Sequence, residues 1–438
     1  MLLHSTFLLI CFCVIVDWAR VQKHILDLIL EKLESLVDYL RFNVVCLQWH
    51  SVTKENQVER IKASHRRYRY HQVPMLLMPS EDEYTWNIYN VMTNKFLELE
   101  LLIPYGKRFC GSSKGWLVAV NKDWTVTLYK PYSMINDGNS EDTRIQLPIL
   151  FPVELESDDD LEQVDIQDYM EEFPNELEDC NQEEPEMAID PKNVYDYHVY
   201  KALITADPLA NPNECVVVVI FGDCRELAFI RISQDKTWTK IEPTDRFCSD
   251  EVLHHNDLCY VVAHDGALRS FDVTDSCINS TVKYVAPKLP RTRFLSKFSC
   301  YIKRYLVEFH GQILQVERYL RDYYKSKTKS RKTKKFRVWR YDPDLKNWIE
   351  IKNLGGMALF LGHNTSISVL ASNFSGIQPN CIYFTHDIDQ IFYSSNPMIC
   401  DLGMYDIQSR KYKLHFTIDS VALRKMNSRP PIWVVPTF

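Results

Sequence analysis

Glycine is scarce in this chain, with 12 in 438 residues. That leaves no phosphate-cradling loop and no dinucleotide fingerprint, since both need several glycines at fixed spacing. HExxH and GxSxG are absent too, so metalloprotease and nucleophile-elbow signatures are missing. The 13 cysteines are odd in number, run from Cys11 to Cys400, and form no CxxC pair. A disulfide framework or a zinc site is therefore not expected, and a reducing compartment fits the cysteine usage. Basic residues are missing between Arg144 and Lys192, where Glu154 to Glu186 alone supplies 16 carboxylates. Without those 16 the formal net charge would move from −7 to +9. A charged, proline-bearing stretch with little strand signal reads as a disordered acidic insert over residues 154–186.

At the N-terminal end the pattern is helical. Ile25, Ile29, Leu33, Leu36, Leu40 and Val44 recur at spacings of three and four, which predicts a helix with one buried stripe. Ser35 and Asp38 form a Ser-x-x-Asp capping signal that splits the stretch into two helices. A further turn carries Phe42, Val45, Cys46 and Trp49. About forty residues cannot bury that much apolar surface alone, so the face needs the rest of the chain or a partner.

The order of these residues resembles an F-box: Asp17-Trp18, Ile25-Leu26-Asp27-Leu28-Ile29, Leu33, Leu36 to Phe42, Val45-Cys46 and Trp49. The resemblance implies a three-helix unit over 17–55 that docks on the Skp adaptor of a cullin-RING ubiquitin ligase. Its adaptor-binding set would be Trp18, Ile25, Leu26, Ile29, Leu33, Leu36, Leu40, Phe42, Val45, Cys46 and Trp49, with Leu36, Leu40 and Trp49 on the face that meets the adaptor. Val21-Gln22 stands where the family has Leu-Pro, which leaves the start of the first helix less fixed. Ahead of this unit, residues 1–16 form an apolar extension too short for a full span and without the basic flank of a secretory signal.

From Pro74 the pattern becomes β. Short runs rich in Val, Ile, Tyr and Phe alternate with turn residues, among them Trp116–Val120, Val126–Tyr129, Val216–Phe221, Leu227–Ile232, Leu258–Ala263 and Cys381–Phe384. A phrase of strand, tight turn and aromatic recurs: Tyr89 to Phe96, Ile230 to Trp238, Trp339 to Trp348 and Met404 to Tyr412. Shorter copies stand at Tyr129-Lys130-Pro131 and Phe271-Asp272-Val273. Asn90 to Lys130 and Ile232 to Asp272 are each 40 residues apart, the period of propeller blades. The expected fold is thus multidomain α+β, a small helical F-box followed by an all-β propeller of five to seven blades over 74–438. The repeats resemble kelch units, although only Gly355-Gly356 supplies the double glycine.

Four further phrases extend the resemblance: Cys110 to Leu117, Phe360-Leu361-Gly362-His363-Asn364, Asn380 to Thr385, and Pro430-Pro431-Ile432-Trp433. In this order behind an F-box they resemble the plant F-box proteins whose C-terminal kelch-like domain has no assigned function. Gly111, Gly115 and Gly362 are expected to serve turns, and Trp116, Trp348 and Trp433 to pack between blades. Arg321 to Arg337 carries nine Lys or Arg residues and reads as a basic insert, either a nuclear signal or a solvated loop. No catalytic residue, metal ligand or cofactor site is assigned. His254-His255 and His264-Asp265 form the one cluster from which a propeller enzyme could be built.

The expected role is a substrate-recognition subunit of an SCF-type ubiquitin ligase, non-catalytic itself. Its partners would be a Skp-type adaptor, through it a cullin, and an unidentified target protein. Nucleic acid has no assigned part, and a membrane contact would fall on residues 2–16. The location would be cytoplasm, nucleus or both. Two alternatives stand beside it: an interaction module with a degenerate F-box, and the propeller enzyme.

Overall fold

The computed structural model describes residues 20–33, 42, 45–53, 55, 73–79, 86–101, 103–104, 107–131, 144–151, 198–243, 245–273, 282–290, 300–325, 328–385, 387, 401–413 and 430–435. Trp18, Leu36, Leu40, the apolar extension and the acidic insert lie outside them. The chain divides into two units, residues 1–69 with 438, and residues 70–437.

In the first unit, α1 spans Lys23–Lys32, and residues 47–53 are also helical. Gln22 stands at the N-cap and gives no side-chain cap bond. Its carbonyl instead accepts from the Ile25 and Leu26 amides at 3.0 and 3.2 Å. Gln48 Nε2 donates to the Val21 carbonyl at 2.9 Å, and Lys23 pairs with Glu55, so two links tie the start of α1 to the later helix. Leu26, Leu30, Phe42, Trp49 and Val52 form a single buried cluster. Inside it the Phe42 and Trp49 rings lie 4.3 Å apart.

The second unit is a six-bladed propeller. Blade one holds β1 (Met75–Pro79), β2 (Trp86–Asn90) and β3 (Lys95–Leu101). Blade two holds β4 (Phe109–Ser113), β5 (Trp116–Val120), β6 (Thr125–Tyr129) and β7 (Arg144–Ile149). Blade three runs β8 (Val199–Ile204), β9 (Val216–Phe221), β10 (Glu226–Arg231) and β11 (Thr239–Ile241). Blade four runs β12 (Ser249–His255), β13 (Leu258–Ala263), β14 (Leu268–Phe271) and β15 (Lys283–Ala286). Blade five comprises β16 (Cys300–Phe309), β17 (Gln312–Lys325), β18 (Thr328–Asp342) and β19 (Asn347–Ile351). Blade six has five strands, β20 (Met357–Leu361), β21 (Ser366–Leu370), β22 (Cys381–Phe384), β23 (Gly403–Asp406) and β24 (Lys411–Lys413), in the order β21-β20-β22-β23-β24. The last strand, β25 (Ile432–Val434), returns to blade one and pairs antiparallel with β1, Trp433 opposite Leu76.

Each sheet is covered on both faces by its neighbours. That is why β9, with the sequence VVVVIF, is buried at every position rather than at alternate ones. Full burial of each such side chain contributes about 1.5–3 kcal/mol. Trp116 packs between blades two and three, Trp348 between four and five, and Trp433 between six and one. Trp433 Nε1 also donates to the Leu361 carbonyl at 3.0 Å, so the returning strand is latched to blade six.

The repeated phrase has a physical content. Asn90, Asp342 and Asp406 each close a strand and accept two backbone N–H bonds from the turn that follows, at 2.9–3.4 Å. Four residues on, Asn94, Lys346 and Arg410 take φ of 53°, 47° and 55°. Two more residues on comes the aromatic of the outer strand, Phe96, Trp348 or Tyr412. In blades three and five that aromatic is a latch: Trp238 donates to the Pro148 carbonyl and Trp348 to the Pro287 carbonyl, at 3.0 and 2.9 Å, each in the preceding blade.

Two expectations need correction. Arg321 to Arg337 is no insertion into a loop: β17 and β18 pair from Leu314–Arg340 to Lys325–Thr328, with one register shift between Tyr319 and Leu320. Blade five therefore bears a long hairpin arm, whose alternating residues follow the period of a strand. Gly111 lies inside β4 and does not serve a turn, whereas Gly362 opens the loop between β20 and β21, its amide donating to the Thr365 carbonyl at 3.1 Å. A Cβ on Gly111 would strike the Ala202 carbonyl of the next blade, and one on Gly362 would crowd Thr385 and Trp433. Gly115, with φ of 80°, does serve a turn.

Candidate functional site

The helical unit presents apolar surface on two sides. Leu26 and Leu30 point into its own cluster, with Ile29, Leu33, Val21 and Cys46 packed partly against it. On the other side Ile25 is 42% and Leu28 55% exposed, and near the second helix Val45 is 49% and Leu47 88% exposed. Three residues expected at the adaptor surface, Leu26, Phe42 and Trp49, are thus interior to the unit. A unit this small uses its aromatic pair to hold itself together. Ile25 and Val45 face outward. Leu28 and Leu47 are exposed as well. The three-and-four spacing favoured the stripe through Ile25, Ile29 and Leu33, one residue away from the stripe that is buried.

In the propeller the chemistry gathers at the axis. The inner strands β4, β8 and β12 each carry a register shift at the second residue, which sets Cys110, Tyr200 and Asp250 aside as bulges. The residue after each bulge then falls at an equivalent place: Gly111, Lys201 and Glu251. Gly111 lets blade two approach blade three closely. Lys201 and Glu251 form a buried ion pair between blades three and four. Burial pushes the Glu251 carboxyl up to about 7, outweighing the pull of Lys201 in the other direction.

Asp250 is an ion-pair hub. Arg225 Nη1 lies 2.7 Å from its Oδ1, Arg304 Nη1 lies 3.4 Å from its Oδ2, and His264 Nδ1 lies 3.3 Å from its Oδ1. Tyr200 beside it has the Arg225 guanidinium 4.2 Å and the Lys303 ammonium 4.3 Å from its ring centre. The His264 region proposed for an enzyme is therefore tied into this charge network. His254 sits at the end of β12, and burial lowers its pKa. Among the described residues no group of His, Cys, Asp and Glu is arranged to hold a metal ion.

A second buried network joins blades five and six. Arg318, fully buried in β17, binds Asp401 at 2.9 Å and Asp387 at 3.2 Å. It also donates to the Thr385 carbonyl at 2.7 Å, and Tyr305 donates to Asp387. A cavity of about 40 Å³ is lined by Ser112, Lys201, Glu251, Leu306, Asn364 and Ser366 among others. Those six come from blades two to six. Sequence gave no sign of this convergence, because its members are spread over more than 250 residues.

Comparison with known proteins agrees with this architecture. A probable F-box protein of Arabidopsis thaliana, At1g65740, is 23% identical over 398 residues, covering 87% of this chain and 93% of the relative. The Arabidopsis F-box protein SKIP23 is 25% identical over 450 residues, 96% of each. A shorter match, to the Arabidopsis F-box protein At2g17690, reaches 43% identity over 54 residues, 12% of this chain. The model of the KIB1-4 beta-propeller family matches residues 88–406, a description other than the kelch repeat expected from sequence. That match spans most of the chain, from the second strand of blade one to the end of β23 in blade six, and so this chain belongs to the KIB1-4 beta-propeller family.

Proposed function

We propose that this chain is the substrate-recognition subunit of an SCF-type ubiquitin ligase. The helical unit docks on a Skp-type adaptor, and through it on a cullin, while the propeller binds the target protein. The observation that carries this reading is the outward apolar surface of Ile25, Leu28, Val45 and Leu47, on a unit whose own core is already filled. The names of the relatives support it. Trp18, Leu36 and Leu40 complete the proposed surface from sequence alone. In such an assembly the receptor contributes proximity and orientation, and the chemistry belongs to the enzymes it gathers. The chain would act in cytoplasm, nucleus or both, with kelch-like use of propeller loops for recognition.

Co-purification with a Skp adaptor tests the reading. Wild-type chain should retain the adaptor, and Leu28→Asp should weaken retention at least tenfold, about 1.4 kcal/mol, while the propeller melts as before. Equal retention by wild type and variant would remove the proposed surface. The competing reading is an interaction module that has lost its adaptor. Gln22, which stands in the place of a proline and gives no side-chain cap, favours it. A wild-type chain that captures no adaptor would select that reading.

A further inference from the structure

The axial cavity holds more hydrogen-bonding capacity than the chain itself uses. Asn364 is buried at its wall, and neither its amide nitrogen nor its amide oxygen has a partner. The Ser366 hydroxyl is buried and unpaired as well. Lys201 pairs with Glu251, which leaves two of its three N–H groups open. Unmet buried groups of this kind are rare in folded proteins, and several around one cavity indicate something to be bound there. The cavity, about 40 Å³, has room for about three waters or for a group of similar bulk.

The charge of the lining narrows the chemistry. Above pH 7, where the Glu251 carboxyl is ionised, Lys201 and Glu251 stand side by side with opposite signs. An anion drawn to one is repelled by the other, and a cation meets the reverse, while either loses its hydration on the way in. A neutral group that both donates and accepts meets neither penalty. A primary carboxamide fits best: its carbonyl can accept from Lys201 and its N–H groups can donate to Glu251, both charge-assisted. The Asn364 amide can meet its remaining donor and acceptor. A hydroxyl has a single proton to give and satisfies fewer of these groups.

We infer that the axial cavity is a seat for a primary carboxamide side chain offered by the bound target. The source of that group rests on the receptor reading above, whereas the seat is a property of this chain alone. Acetamide is the probe. With the purified full chain and no adaptor present, added acetamide should raise the melting temperature of wild type by mass action. It should leave Asn364→Leu unmoved and shift Ser366→Ala less. Sodium acetate and methylammonium chloride at equal ionic strength should not reproduce the rise. Soaked crystals should show the amide bonded to Asn364. Because Asn364→Leu could weaken the fold, the response to acetamide is the readout and not the starting melting temperature. An equal response in Asn364→Leu, a stronger response to acetate, methylammonium or methanol, or water alone in the soaked cavity would each overturn the inference. None of these results depends on adaptor capture, so the seat and the receptor reading fail separately.

Discussion

Arg318 should be the most sensitive single position in the propeller. It is fully buried and binds Asp387 and Asp401, both buried, along with the Thr385 carbonyl and Tyr305. Arg318→Met keeps much of the side-chain volume and removes the charge. Two carboxylates are then left buried without their cation, and breaking a buried pair in this way costs about 3–5 kcal/mol. The propeller unit spans roughly 370 residues, so unfolding it as one body releases about 0.8 kcal/mol per kelvin, from about 2.1 cal/mol/K per residue. A loss of about 4 kcal/mol therefore lowers the melting temperature by about 5 °C. Differential scanning calorimetry would record it. The sharper measurement is the combination Arg318→Met, Asp387→Asn and Asp401→Asn, which removes all three charges and should recover at least half of the loss. If Arg318→Met melts within a degree of wild type, or the neutralised combination is no more stable than the single variant, the network does not carry the stability assigned to it.

Two further outcomes follow from the same interior. Burial raises the Glu251 carboxyl to about 7 from an ordinary value near 4.5, so the folded chain holds that proton more tightly than the unfolded chain does. Glu251 should therefore make stability fall as pH rises between those values, and Glu251→Gln should remove its part of the slope; a urea midpoint followed from pH 5 to 6.5 in both proteins checks it, and parallel slopes would refute it. Truncation after Ser428 removes β25, uncovers the edge of β1 and deletes the Trp433 latch, so the product should aggregate. A soluble truncated chain with unchanged melting would show that closure does not depend on β25.

Much of the propeller could be read from the sequence. The six phrases singled out by repetition, four full and two short, fall at or just after the end of the strand next to the outermost in each of the six blades: Asn90, Lys130, Ile232, Asp272, Asp342 and Asp406. Asn90, Asp342 and Asp406 repeat because their turn needs a side-chain acceptor, a left-handed residue and an aromatic at fixed offsets. The scarcity of glycine concealed other turns. Non-glycine residues such as Lys114, Arg225, His310 and Lys346 occupy left-handed positions, at a local cost of about 1–2 kcal/mol each. The basic stretch misled because charge was weighed before the strand alternation of Tyr319, Arg321 and Tyr323. The axial cavity was out of reach for a different reason. Lys201, Glu251 and Asn364 are ordinary surface-type residues in sequence, and only the bulges and the closing of the ring bring them inside.

The bulges also decide how alike the blades are. Six equal blades would offer anything approaching along the axis six equivalent seats, and a target could dock in any of six rotations. Only the inner pairs of blades two, three and four shift register at the second residue, while β16 and β17 pair without a break. One half of the ring therefore differs from the other in backbone and not merely in side chains. On the receptor reading, a protein docked along the axis would meet a compass rather than a turntable, its azimuth set by the backbone of blades two to four. For a receptor that must hand its cargo to an enzyme on one side, that fixed bearing governs which parts of the cargo come within reach.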